Sequence, residues 1–195
     1  MTDSKEVINI KDEGEIRKRD DVIGWDDLFM GIAFMAGTRS KDPCTQVGAC
    51  IVDENKRIVS IGYNGMPEGC NDDVFPWGKD PNNPLKNKHT FVCHAELNAI
   101  LNRHGADIKG STIYVSLFPC NQCAKLIIQS GLKEIVYYCD KHAKKPSTIA
   151  SKMMLDAASI KYRVYVPEKE VILVDLAKKV VNLLTKSSDK DHDTT

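Results

Sequence analysis

The sequence predicts an α/β domain built on a mixed five-stranded sheet with helices on both faces. Three observations predict it. Two β-branched runs, "QVGACIVD" and "RIVSIGYNG", are separated only by Glu54, Asn55 and Lys56, which is hairpin spacing. From Ala95 onward, segments of helical period alternate with short strand-like runs. Such alternation favours parallel strands joined by crossover helices, so a hairpin followed by it gives a mixed sheet in three layers.

The elements follow in order. Residues 1–21 are dense in both signs of charge with little periodicity, and read as a flexible N-terminal arm. "WDDLFMGIAFMAG" places Leu28, Phe29, Ile32, Ala33 and Met35 at helical spacing, predicting a first core helix. The hairpin comes next. Residues 67–90 hold four prolines and several Asn and Asp, predicting a long loop of the kind that often carries function. A helix from about Ala95 carries Leu97, Ile100 and Leu101 on one face. "STIYVSLF" is a strand, "NQCAKLIIQSG" a helix closed by Gly131, "EIVYYC" a strand, "STIASKMMLDAA" a helix and "YRVYV" a last strand. "VILVDLAKKVVNLLT", apolar at Ile172, Leu176, Val180 and Leu183, predicts a C-terminal helix after a short extended start. Residues 186–195 are polar and read as a flexible tail, leaving 22–185 as a single domain. A chain of 195 residues is long enough to bury one sizeable core.

Charge and cysteine usage narrow the function classes. Lys plus Arg and Asp plus Glu each number 27, so the formal net charge is zero. That argues against a general nucleic-acid or membrane-surface binder, which carries a basic excess. No run approaches the roughly 18 apolar residues of a membrane span, and the N-terminus lacks the apolar stretch of a signal peptide. A cytoplasmic or nuclear protein with reduced thiols is expected. There, a close pair among the seven cysteines reads as a metal site before a disulfide.

The chemistry gathers in two stretches. In "FPCNQC", Cys120 and Cys123 stand three apart at a helix start, so both thiolates can face one way, and Pro119 suits the helix entry. A helix N-terminus also favours the thiolate. Two cysteines are too few for catalytic zinc, which takes three protein ligands and keeps one position open. In "CHAELNAI", His94 opens the preceding helix and is the natural third ligand. If the strand between them is shared, both helix N-termini lie beyond the carboxyl ends of strands, where open α/β sheets bind ligands. Glu96, two residues on, suits a proton carrier beside an activated water. Alone, His-x-Glu reads as an ordinary helix start, and a lone CxxC as a redox pair or two buried thiols. Together, His94-x-Glu96 and Pro119-Cys120-x-x-Cys123 match the H-x-E…P-C-x-x-C signature of zinc nucleobase deaminases. One catalytic Zn2+ per chain is expected, with no organic cofactor.

Two further stretches bear on the substrate. "TRSKDP" puts Arg39, Ser40 and Lys41 just after the first helix, a candidate phosphate clamp; the same residues also suit a helix C-terminus. In "GYNG", Asn64 can donate to and accept from a sugar hydroxyl, and Asn-Gly is also a strong turn signal.

Four segments, "RSKDPCTQVGACIV", "GYNGMPEGC", "CHAELNAI" and "FPCNQCAKLIIQSG", resemble the deoxycytidylate deaminases of the cytidine/deoxycytidylate deaminase superfamily from about Trp25 to Pro167. The resemblance implies a cytidine-deaminase-like fold and hydrolysis of dCMP to dUMP and ammonia, which supplies dUMP for thymidylate synthesis. It implies His94, Cys120 and Cys123 as zinc ligands, Glu96 as the proton shuttle and Asn64 as a sugar contact. It also implies a homohexamer activated by dCTP and inhibited by dTTP, with effector-site residues unassigned. No nucleic-acid or membrane partner is expected. Cys70, His89 and Cys93 do not make a convincing second zinc set, and of two readings of His142, lining the site or standing in solvent, the second is expected. The segment "KHAKKPSTIAS" departs most from the family pattern.

Zero net charge and 7% aromatics count against deaminases of tRNA or polynucleotides. A histidine at position 94 counts against free-cytidine deaminases, which have a cysteine there. A merely structural zinc module would fill its fourth position and need no acid, so Glu96 counts against that class.

Overall fold

The structure, a computed structural model, describes residues 18–169, 171–175 and 180–184. Helix α1 (Trp25–Gly37) leads into the hairpin of β1 (Gly48–Val52) and β2 (Ile58–Tyr63). A long irregular segment with two 3-10 turns, Pro84–Lys86 and Lys88–Thr90, then reaches α2 (Ala95–Leu101). Strand β3 (Thr112–Leu117), α3 (Asn121–Gln129), β4 (Glu134–Cys139), α4 (Pro146–Ala157) and β5 (Lys161–Val164) complete the alternation. The sheet order is β2-β1-β3-β4-β5. The β1 strand is antiparallel to both neighbours, while β3, β4 and β5 run parallel. The expected mixed sheet of five strands is therefore present.

Strand alternation assigns the two faces. Ala49, Ile51, Ile113, Val115 and Ile135 point into one buried cluster with Ala95, Ala99, Ile100, Ala124, Ile127 and Leu155 from α2, α3 and α4. Cys50, Val52, Tyr114 and Val136 point the other way, against Phe29, Met30 and Ala33 of α1. Three layers result. On this second side Asp27, fully buried, accepts from Tyr165 Oη at 2.6 Å and from the backbone N–H groups of Glu168 and Lys169. That contact anchors the chain after β5 onto the first helix.

Two helices differ in facing from their sequence pattern. Helix α1 buries Phe29, Met30, Ala33 and Ala36, leaving Met35 exposed. Helix α2 buries Ala95, Ala99 and Ile100, leaving Leu101 exposed. Small residues face the sheet because the backbones approach closely. A Cβ on Gly62 would lie 2.3 Å from Ala99 N, and one on Gly48 1.8 Å from Ala33 O.

The expected C-terminal helix is instead a two-stranded antiparallel hairpin, β6 (Val171–Asp175) and β7 (Val180–Leu184), with Val171 opposite Leu184 and Asp175 opposite Val180. The segment holds Val171, Ile172, Val174, Val180 and Val181, and β-branched residues at that density favour the extended chain over the apolar period of a helix. The flexible arm expected over residues 1–21 lies outside the described residues up to residue 17, and the tail over 186–195 wholly so; residues 18–21 carry no helix or strand.

The close packing of α1 on β1 generates a stability prediction. Gly48→Ala must push backbone against backbone, and is expected to destabilise by about 3 kcal/mol. Gly31→Ala, in α1 with nothing within 4 Å of the new methyl, is expected to be neutral or stabilising. Chemical denaturation midpoints of the two variants measure the contrast.

Candidate active site

The strands deliver the site to one edge of the sheet. Chain ends after β2, β3 and β4 and the entry into β1 all lie on that edge, because β2 and β4 run in the direction of β3 and β1 against it. His94 is the N-cap residue of α2 and Cys120 the N-cap residue of α3, both in extended backbone conformation. Cys123 falls in the first turn of α3. Helix α3 ends as its pattern predicts: Gly131 has φ +74°, and Leu132 N–H returns to Ile127 O at 3.2 Å.

His94 Nδ1 lies 3.5 Å from Cys120 Sγ and 3.4 Å from Cys123 Sγ. Tetrahedral zinc with ordinary Zn–S and Zn–N bonds separates such donors by about 3.6 Å. The three ligand atoms all lie within 4.8 Å of one another, so they fit a single zinc ion. They are the one such group among the described residues, and Cys70, His89 and Cys93 form no second one. Cys93 is held elsewhere, its backbone bridged to Gly65 by bonds of 2.8 and 3.1 Å.

The two thiols share protons unevenly: the bond to Cys120 and burial push the Cys123 thiol up, while Cys120 is held down. The hydrogen bond from Cys123 draws the Cys120 thiol far below its ordinary range, and His94 adds to it. The bond to Cys120 pushes His94 up to about 9. Glu96 is 3% exposed, in the first turn of α2, and hydrogen-bonds Cys123. Burial pushes its carboxyl above the ordinary carboxylate range, which suits a group that carries a proton.

These groups open onto a cavity of about 270 Å³, near the lower end for small-molecule sites. Its walls include Asn64, Thr45, Val47, Phe118 and the buried pair Asp42 and Lys88. Phe118 is 6% exposed and wedged edge-on against Tyr137 and Tyr162, with ring centroids 4.8 and 5.6 Å away. Lys152 Nζ, paired with Asp140, lies 5.1 Å from the Phe118 ring centroid. Lys79, His89, His142 and Lys145 also line the cavity. After burial, the charge of Lys79 is the largest influence holding His89 down, and Lys145 is the largest for His142. Lys79 and Lys145 therefore bring positive charge to the cavity wall, while both histidines are shifted toward the neutral form.

The structure brings His94, Glu96, Cys120 and Asn64 to one cavity, with Cys123 buried behind them against His94 and Cys120. Arg39, Ser40 and Lys41 do not line it. The Lys41 ammonium pairs with Asp72, and Ser40 Oγ accepts from Asp42 N at 3.3 Å. Their neighbour Asp42 points inward instead. His142, expected in solvent, lines the cavity. Asn64 spends most of its amide on the protein: Oδ1 accepts from Val47 N at 2.8 Å, and Nδ2 donates to Thr45 O at 3.0 Å. Sequence reasoning missed Asp42, Lys79, Lys88, Phe118 and Lys145. Only Asp42 and Phe118 sit inside the motif segments, where a strand-end aromatic just before Pro119 was the available signal.

Comparison with known proteins agrees with this geometry. Residues 23–139 match the family described as the cytidine and deoxycytidylate deaminase zinc-binding region. The deoxycytidylate deaminase of Mus musculus is 50% identical over 159 residues, covering 82% of this chain and 89% of that protein. A probable deoxycytidylate deaminase of Drosophila melanogaster is 51% identical over 166 residues, covering 83% and 82%. The crystal structure of the cyanophage S-TIM5 dCMP deaminase in complex with dCMP and dUMP superimposes with a TM-score of 0.55 at 25% identity, covering 71% of this chain and 95% of that one.

Proposed function

The chain belongs to the cytidine and deoxycytidylate deaminase family, a family of zinc-dependent hydrolytic deaminases, and from that premise we propose that its reaction is dCMP plus water to dUMP plus ammonia. One observation carries the reading: three convergent donors with Glu96 buried beside them, opening onto a cavity lined by Lys79 and Lys145. In the cell the product is a precursor for thymidylate synthesis. Activation by dCTP, inhibition by dTTP, a homohexameric assembly and a cytoplasmic or nuclear location belong to the same proposal, on family resemblance. Among the described residues no helix is long and apolar enough to cross a membrane.

Each residue has a distinct part. His94, Cys120 and Cys123 would hold the zinc. When bound, zinc supplies Lewis-acid activation of a water near neutral pH. Glu96, buried beside the three donors, would accept a proton on its carboxylate from the attacking water, pass it to the ring nitrogen beside the reacting carbon, and serve the departing ammonia. Burial raises its proton affinity, in the direction that suits a group taking up and returning a proton. Phe118, fixed by Tyr137 and Tyr162, presents a rigid apolar wall to the base. Asn64 keeps one lone pair on Oδ1 for a sugar hydroxyl. For the 5′-phosphate the reading favours Lys79 and Lys145, as ammonium point charges, because they line the cavity and Arg39 and Lys41 do not.

Two measurements test the reading. Turnover of dCMP, deoxycytidine, dCTP and tRNA by the purified protein is expected to be fastest for dCMP, and to respond to added dCTP and dTTP; faster turnover of deoxycytidine would sink the nucleotide assignment. Glu96→Gln is expected to keep zinc and fold while kcat falls by about 10²–10⁴. Wild-type kcat in that variant would remove Glu96 from the mechanism.

A further inference from the structure

Asp42 and Lys88 form an ion pair in the cavity wall with each side chain 3% exposed, and Lys88 Nζ lies 2.6 and 2.5 Å from the two carboxylate oxygens. Burying both charges costs about as much as their attraction returns, so a pair like this adds little stability over apolar neighbours of the same size. Its hydrogen bonds show what else it does. Asp42 Oδ1 also accepts from the backbone N–H of Cys44 at 2.8 Å and of Thr45 at 3.1 Å. Asp42 Oδ2 accepts from Asn64 Nδ2 at 3.4 Å. Asn64 in turn grips Val47 N–H and Thr45 O, and the Asp42 carbonyl accepts from Gln46 Nε2. The segment 42–47, the residue after β2 and a residue of the long loop are thus locked by one network. Asp42, Thr45, Val47, Asn64 and Lys88 all line the cavity. Lys88 has three N–H donors, and Asp42 takes two of them.

We propose that the Asp42–Lys88 pair, acting through Asn64, is a positioning device that fixes residues 42–47 as the wall against which the sugar of the substrate nucleotide is held. The inference rests on the nucleotide reading above, and it assigns Asp42 and Lys88 a part in binding. The network includes none of His94, Cys120, Cys123 or Glu96. Loosening it therefore weakens the hold on the nucleotide while leaving the proton transfer intact. It also explains why Asn64 spends most of its amide on the protein: the residue is held by Asp42 so that its remaining lone pair and the adjoining backbone keep one geometry.

The test is a pair of variants with steady-state kinetics on dCMP, zinc content and thermal midpoint. The double variant Asp42→Asn/Lys88→Met removes both buried charges together and avoids leaving one unpaired. Lys88→Arg keeps the charge but forces a planar fork into a site shaped for an ammonium. Both are expected to hold wild-type zinc with KM for dCMP raised on the order of ten- to a hundredfold and kcat changed less than threefold, the scale of a small misplacement at a binding wall. A purely structural pair would shift the thermal midpoint and leave KM alone. Wild-type KM in whichever of the two variants folds would overturn the inference. Wild-type protein in the same assay separates the claims: failure of the wild type to turn over dCMP overturns the substrate reading, whereas active wild type with unmoved variants overturns only the positioning role.

Discussion

His94 Nδ1 stands 3.5 and 3.4 Å from two sulfurs because two helices begin at the same edge of the sheet. The β3 strand carries the chain from one helix to the other, and parallel pairing with β4 sets the second helix beside the first. Helix α2 reaches its place only because Gly62 lets its backbone settle on β2, and α1 closes the other face only because of Gly48. Most of the packing can thus be read as what is required to hold two helix starts within one coordination radius.

The same edge concentrates charge that the interior would otherwise reject. Glu96 is buried with its carboxyl pushed up, and Asp42 and Lys88 are buried together. Burial of unpaired charge is costly, and each group is compensated differently. Lys88 and Asp42 neutralise one another. Glu96 holds its proton more readily because it is buried. Lys79 and Lys145 add further positive charge to the cavity lining.

The parts legible in the sequence were those with local spacing. His94-x-Glu96 and Cys120-x-x-Cys123 each fit inside one helical turn, and the strand between them is short, so the donor set could be assembled on paper. The five strands were legible from β-branched runs bounded by turns. Helix facing was less so: Leu101 looks like core by period, but the sheet approaches so closely that Ala95 and Ala99 face it and Leu101 is 69% exposed. The Asp42–Lys88 contact joins residues 46 apart across an irregular loop, and no periodicity announces such a pair. For the same reason Lys79 and Lys145, far apart in the chain, were not legible as lining one cavity, whereas Arg39, Ser40 and Lys41, adjacent in sequence, do not line it. At the C-terminus, an apolar period of helical type overlay a β-branched composition, and the composition decided.

The central claim is a metal centre with three protein donors and one position left for water, with Glu96 beside it and not bound to it. X-ray absorption at the zinc edge on the purified protein tests it most directly. The account predicts two sulfur scatterers at about 2.3 Å and two nitrogen or oxygen scatterers at about 2.0–2.1 Å, one from His94 and one from solvent. A third or fourth sulfur would mean that Cys93, Cys70 or another thiol closes the site, and would contradict an open catalytic centre.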